Sequence, residues 1–278
     1  MTAPSPVPAP YRHVDGRTLC LGMNPGTYDP QTLRMEKYIS TLPEPPAAVN
    51  WYGNVVNWGA MLNDALGDCT CAAYGHGAQV VTLNTPVGEI TPPDDLVLHL
   101  YEEACGYVPG DPSTDNGGII NQVLKYARVH ALGHKDDPFF HRKFPLYAYA
   151  WIDTSAITVI KQAINLFAAV DIGLNLPLTA QAQVGSVWDV VGDPQTDPNS
   201  FPNSWGGHSV IVAAYDSNGP TCITWGQLQP MTWRFWNTYV TQSYCLLYEA
   251  WLDRVRAAGQ AGVLAQLESD LAALTAAG

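Results

Sequence analysis

The sequence predicts an α+β fold, and three observations carry that expectation. Helical periodicities cluster between residues 68 and 167, a period-two apolar run follows at 170–176, and two strand-like stretches at 208–215 and 222–225 are joined by the short turn Asp216 to Gly219. Helices first and antiparallel strands later is the order of an α+β domain.

Gly67 permits a sharp turn and Asp68 is a good N-cap, so a helix is expected from there, with Ala72, Ala73, His76 and Val80 on one face. Pro93 opens a second helix over 94–104, with Leu96, Leu100 and Ala104 in register. A third fits 118–132, with Ile119, Val123 and Ala127 inward and Gly133 as its stop. A fourth begins after Ser155 and carries the stripe Ile157, Ile160, Ile164 and Phe167. Val170, Ile172, Leu174 and Leu176 then alternate until Pro177 ends the strand. Residues 189–207, rich in Pro, Asn, Asp and Gly, form a loop long enough to be functional or an interaction element. The strand from His208 to Tyr215 is apolar on both faces and therefore central.

Three segments follow from this. Residues 1–50 are expected to be an extended Pro-rich arm, because Pro4, Pro6, Pro8 and Pro10 alternate and Pro43, Pro45 and Pro46 close the segment. Residues 51–256 form the main domain. Residues 257–278 form an Ala-rich helix with a narrow seam of Leu264, Leu267, Leu271 and Leu274, packed on its own domain or docked on a neighbouring subunit.

With 278 residues, 47% of them hydrophobic, the chain can build one large core or two small lobes. A formal net charge of −12 argues against nucleic acid and anionic membrane surfaces as partners. The N-terminus lacks the basic start and apolar run of a secretion signal, and no stretch is long enough to span a membrane, so a cytoplasmic or virion-associated location is expected. Six cysteines in a chain of this length need not form disulfides; most are expected to be reduced, buried small hydrophobes.

The chemistry concentrates at two places. Cys69 sits in the first turn of its helix, where unpaired N–H groups and the dipole favour a thiolate. The Asp68 carboxylate works against this unless it is turned to the Cys71 N–H as a cap. His208 follows Gly206-Gly207 at the start of a strand, where an imidazole faces a helix N-terminus across a cleft.

In order along the chain stand Asn63 six residues before Cys69 and Gly67 two before it, then Asn116-Gly117-Gly118-Ile119 with Val123-Leu124-Lys125-Tyr126. The helix and strand of 156–176 follow, then His208-Ser209-Val210-Ile211-Val212-Ala213-Ala214-Tyr215, and finally Thr224-Trp225-Gly226. These segments span about residues 60–250, and together they resemble the papain-like cysteine peptidases. The resemblance implies a two-lobe fold, with a central helix bearing the nucleophilic Cys packed against an antiparallel sheet bearing the His. It implies Cys69 as nucleophile, His208 as general base and then acid, and Asn63 with the Cys69 N–H as oxyanion hole. It departs from the family at three positions. Asn63 stands where the family has Gln, Thr70 where it often has an aromatic, and Ile223-Thr224 where it has the Asn that orients the histidine. Thr224, or Gln227 if the loop folds back, is left to orient His208.

Two functions fit. One is a cysteine hydrolase acting on a peptide, amide or isopeptide bond of a peptide or protein substrate. The other is a papain-like structural or binding protein without turnover, held to neighbouring subunits of a larger assembly by its arm and tail, for example in a phage virion; the Ala- and Gly-rich composition is compatible with such a source. No cofactor is implied. Cys69-x-Cys71 with His76 lacks four zinc ligands at suitable spacing, and Asp111, Asp115 and Asn116 match no EF-hand loop. Trp225, Trp233 and Trp236 belong to the core or a cleft wall.

Overall fold

The computed structural model describes residues 7–55, 57–86, 88–132 and 144–277. In chain order come β1 (Tyr11–Arg12), β2 (Thr18–Leu19), β3 (Leu33–Arg34), α1 (Glu36–Ile39), β4 (Val49–Asn50), α2 (Cys69–Leu83), α3 (Asp94–Cys105) and α4 (Ile120–His130). Then follow β5 (Leu146–Trp151), α5 (Ile157–Phe167), β6 (Val170–Leu176), β7 (Gly206–Tyr215), β8 (Pro220–Thr224) and β9 (Gln227–Pro230). The chain closes with α6 (Trp233–Tyr239), β10 (Val240–Tyr248), α7 (Leu252–Ala257) and α8 (Ala261–Ala277).

The main sheet runs β3-β5-β10-β6-β7-β8-β9, with β4 pairing the far end of β7. Every pairing is antiparallel except β3 with β5. Helices α2 and α5 both pack against β7. That is why all ten residues of this strand are buried and why its sequence shows no polar alternation. The expected helices and strands are present, with ends moved by a residue or two; Gly133 lies outside the described residues. Strands β5 and β10 and helix α6 were not anticipated. In β10 eight of nine residues are buried, so its sequence has no period of two to detect.

The arm expected over residues 1–50 is corrected by the structure. Its described part is woven into the domain: Leu19, Leu21, Met23, Met35, Tyr38 and Ile39 are buried in the core. The prolines set the local extension, but the apolar residues between them decide where the segment lies. At the other end, the leucine seam of α8 packs on its own chain. Leu264 and Leu267 are buried, and Asp270 accepts hydrogen bonds from Tyr38 at 2.6 Å and Lys37 at 2.7 Å. Among the described residues no helix is long and apolar enough to cross a membrane.

Candidate active site

The turn before α2 is sharp. Met61 and Leu62 both hold positive φ, at 51° and 70°. Asp68 precedes the helix, and its carbonyl accepts from Cys71 N–H at 2.7 Å and Ala72 N–H at 3.0 Å. Its carboxylate does not cap the Cys71 N–H, contrary to expectation. It is buried and accepts from Asn63 Nδ2 at 3.2 Å. Burial pushes the Asp68 carboxyl well above the ordinary range, and the charge it carries when ionised opposes the Cys69 thiolate.

That contact also settles Asn63. Its Nδ2 donates to Leu66 O at 3.1 Å and to Asp68, so both amide hydrogens serve the turn. The expected oxyanion donor is therefore engaged elsewhere in this state, because its amide satisfies a turn carbonyl and a buried carboxyl oxygen that burial would otherwise leave without a donor.

His208 lies in β7, fully buried. Its Nε2 is 2.6 Å from Thr224 Oγ1, and its ring stacks on the Trp225 indole at 4.4 Å between centroids and 13° between planes. Trp225 holds φ at 46°, and its Nε1–H donates to Cys20 O at 3.0 Å. Among the described residues His208 Nδ1 has no hydrogen-bond partner. Gln227 does not reach the ring: it is exposed in β9, paired with Thr224. The turn between β8 and β9 is too short to fold back over the histidine.

Cys69 is buried at the head of α2, and backbone groups of Ser209 and Gly22 hydrogen-bond to its sulfur. No hydrogen bond joins Cys69 to His208. Burial pushes the thiol far up and lowers the imidazole to about 3, so both groups are neutral in this state.

The reason is an extended segment that sequence reasoning missed. Residues 20–24 run as a strap through the space in front of Cys69. Gly22 N–H and Met23 N–H donate to Gly207 O at 3.2 and 3.0 Å on the side of the sheet. On the helical side Gly118 N–H donates to Gly22 O, and Asn24 N–H donates to Gly118 O, each at 2.8 Å. Met23 pairs Gly118 in parallel register. The fit is close enough to need glycine: a Cβ on Gly22 would lie 1.8 Å from Gly67 O, and one on Gly207 would lie 2.0 Å from Met23 O. The Met23 side chain fills a recess against Gly173, Ile120 and Gln242. Beneath the strap, the space lined by Asn63, Cys69, Ala73, His76, Ser209 and Thr224 has no room for a water molecule. The signal for the strap was present as Leu19, Leu21 and Met23 alternating around Gly22.

The closed geometry has a pH consequence. The folded value of His208 lies below its ordinary 6.5, so the native state is penalised progressively as pH falls from 6.5 toward 3. The His208 ring is expected to stay neutral from pH 8 down to pH 5 in the full chain, as read from its ring nitrogen NMR shifts. Titration near 6.5 in the folded chain would contradict the closed site.

No protein-family description and no curated protein matches this chain. Solved structures do. Xylellain, a cysteine protease from Xylella fastidiosa, superposes with a TM-score of 0.59 over 82% of this chain and 95% of its own, at 15% identity. Procathepsin L 3 of the Tenebrio molitor larval midgut gives 0.53 over 78% of this chain and 74% of its own, at 16% identity. The Carica candamarcensis cysteine protease CMS1MS2, in complex with E-64, gives 0.51 over 73% and 98%, at 11% identity. With a cysteine at the head of the central helix and a histidine in the facing sheet, this chain has the fold of the papain-like cysteine proteases.

Proposed function

We propose that the protein is a cysteine peptidase held latent by its own N-terminal strap. The carrying observation is the strap itself. Backbone groups of Gly118 and Gly207, on opposite sides of the cleft, grip an extended peptide directly over the Cys69 thiol. A cleft that offers this pairing to residues 22–24 offers it to a peptide substrate once they leave.

Burial is the first cause of both the raised thiol and the lowered imidazole. Withdrawing the strap readmits water and removes that cause. The thiolate then gains from the helix start, and the imidazolium regains hydration. In that state Cys69 attacks the carbonyl carbon of the scissile bond and His208 takes the thiol proton. The proton then passes to the leaving amine, and water hydrolyses the acyl-enzyme. Thr224 orients the ring through Nε2. The Cys69 N–H supplies one oxyanion donor, and Asn63 a second if its amide leaves Asp68.

A second reading, a papain-like binding protein without turnover, draws its support from the engaged Asn63 amide and from the strap's backbone hydrogen bonds to Gly207 and Gly118.

The test is cleavage at the exposed Pro30-Gln31 segment, followed by a peptidyl epoxide. Cys69 is expected to label selectively after cleavage and slowly before it, with peptide hydrolysis appearing in parallel and lost in Cys69→Ala. If Cys69 labels no faster than the other five cysteines once the strap is out, the peptidase reading fails and the binding reading replaces it.

A further inference from the structure

Asp115 ties together two pieces of backbone on the helical side of the cleft. Its carboxylate oxygens accept from Gly67 N–H at 3.0 and 3.2 Å, and Oδ1 also accepts from the Tyr101 hydroxyl at 2.6 Å. That hydroxyl in turn accepts from Gly117 N–H at 2.9 Å. Gly67 stands two residues before Cys69, and Gly117 stands next to the Gly118 that grips the strap. One carboxylate and one tyrosine therefore join the turn that launches α2 to the wall that pairs with an extended peptide. Gly67 and Gly117 are both buried, so a lost partner would leave a backbone N–H without water to replace it.

The chain is built to hold this arrangement. Tyr101 is buried in α3, and its ring stacks on Tyr107 at 5.1 Å between centroids. The turn that presents Asp115 is closed by its own N–H, which donates to Pro112 O at 3.3 Å, and by Asn116 Nδ2, which donates to Ser113 O at 3.1 Å. The strap is pressed against both tied glycines. A Cβ on Gly67 would lie 3.1 Å from Leu21 O, and one on Gly117 would lie 2.0 Å from Gly22 O.

We propose that Asp115 is a positioning residue: through Tyr101 it fixes the Gly117-Gly118 backbone relative to the Cys69 turn. It thereby sets how firmly the strap is held, and where a peptide lies against the thiol once the strap has left. The second consequence rests on the peptidase reading; the first does not.

The experiment has two arms. In the intact chain, iodoacetamide labelling is followed at Cys69, with Cys222, buried in β8, as the reporter of global unfolding. Asp115→Ala strands the Gly67 N–H and is expected to speed Cys69 labelling about tenfold, with Cys222 unchanged. Tyr101→Phe cuts the same chain of hydrogen bonds and should speed it about fivefold. Because the two act in series, the double variant should label within about twofold of Asp115→Ala alone, whereas independent packing losses would multiply. In the second arm the strap is removed by cleavage at Pro30-Gln31 and peptide hydrolysis is measured. Asp115→Ala is expected to lower kcat about 100-fold and to move KM less than about threefold, as a misplaced reacting pair does. The proposal is overturned if Asp115→Ala labels Cys69 at the wild-type rate, if Cys222 accelerates together with Cys69, if the two substitutions multiply, or if KM carries the loss of activity. A wild-type chain that hydrolyses nothing after cleavage overturns the peptidase reading instead, and the labelling arm then decides the role of Asp115 by itself.

Discussion

Gly22→Ala is expected to raise the alkylation rate of Cys69 by about 100-fold while the rest of the domain stays folded. The added methyl would sit 1.8 Å from Gly67 O and 2.4 Å from Gly67 C. Both are backbone atoms of the turn that launches α2, so neither yields as a flexible side chain would. The strap must lift instead, and overpacking of this kind costs about 3 kcal/mol. At 1.4 kcal/mol per factor of ten, that moves the strap-out population by about two decades. Cys69 is the group uncovered. Peptide-resolved mass spectrometry of iodoacetamide labelling reads the rate. Gly262→Ala is the control, because nothing lies within 4 Å of its added methyl. A folded Gly22→Ala chain with wild-type labelling at Cys69 would show that the strap does not protect the thiol. The same substitution should lower Tm, since Leu21 and Met23 leave the core together with the backbone that carries them.

Asp171→Asn is expected to stabilise the protein, increasingly so toward alkaline pH. Asp171 is buried in β6 and accepts from Ser209 Oγ at 2.7 Å, while its other oxygen has no partner among the described residues. Burial raises its carboxyl from 3.8 to about 8. The folded value exceeds the unfolded one, so the contribution is harmless below pH 4. The penalty grows as pH rises, because the unfolded chain ionises while the folded one must stay protonated, and it levels off above pH 8. The full gap corresponds to about 6 kcal/mol, of which a substitution that keeps the Ser209 hydrogen bond should recover about 2–5 kcal/mol at pH 8. Urea unfolding at pH 5 and pH 8 measures it. The wild-type chain should lose stability between these values, and Asp171→Asn should lose much less. An unchanged slope would place the Asp171 ionisation elsewhere. The effect reaches the site as well. An ionised Asp171 opposes the Cys69 thiolate, and its partner Ser209 lends a backbone group to the same sulfur. The variant should therefore ease Cys69 ionisation once the cleft is open.

Much of the fold was legible because its signals are local. The stripe Ile157, Ile160, Ile164 and Phe167, the alternation from Val170 to Leu176 and the turn at Gly67 each act within a few residues. Strand β10 was not legible, since a strand covered on both faces has no pattern of its own. At the site, residue types and order were enough to single out Cys69 and His208. The partner of each was not open to the same reasoning. Thr224 and Gln227 are three residues apart, and only the β8–β9 pairing puts one against His208 Nε2 and the other in solvent. Asn63 has the right spacing for an oxyanion donor, yet its amide direction is decided by a buried carboxyl five residues on.

By itself, then, the sequence determined the α+β order, the helix that begins at Cys69 and the strand that carries His208, because periodicity, caps and turns are short-range physics. Only the tertiary structure decided that the N-terminal strap fills the cleft and that thiol and imidazole are both neutral. Each of these depends on segments about 50 to about 190 residues apart meeting in one dry space, where hydrogen-bond geometry and desolvation, not residue type, set the outcome.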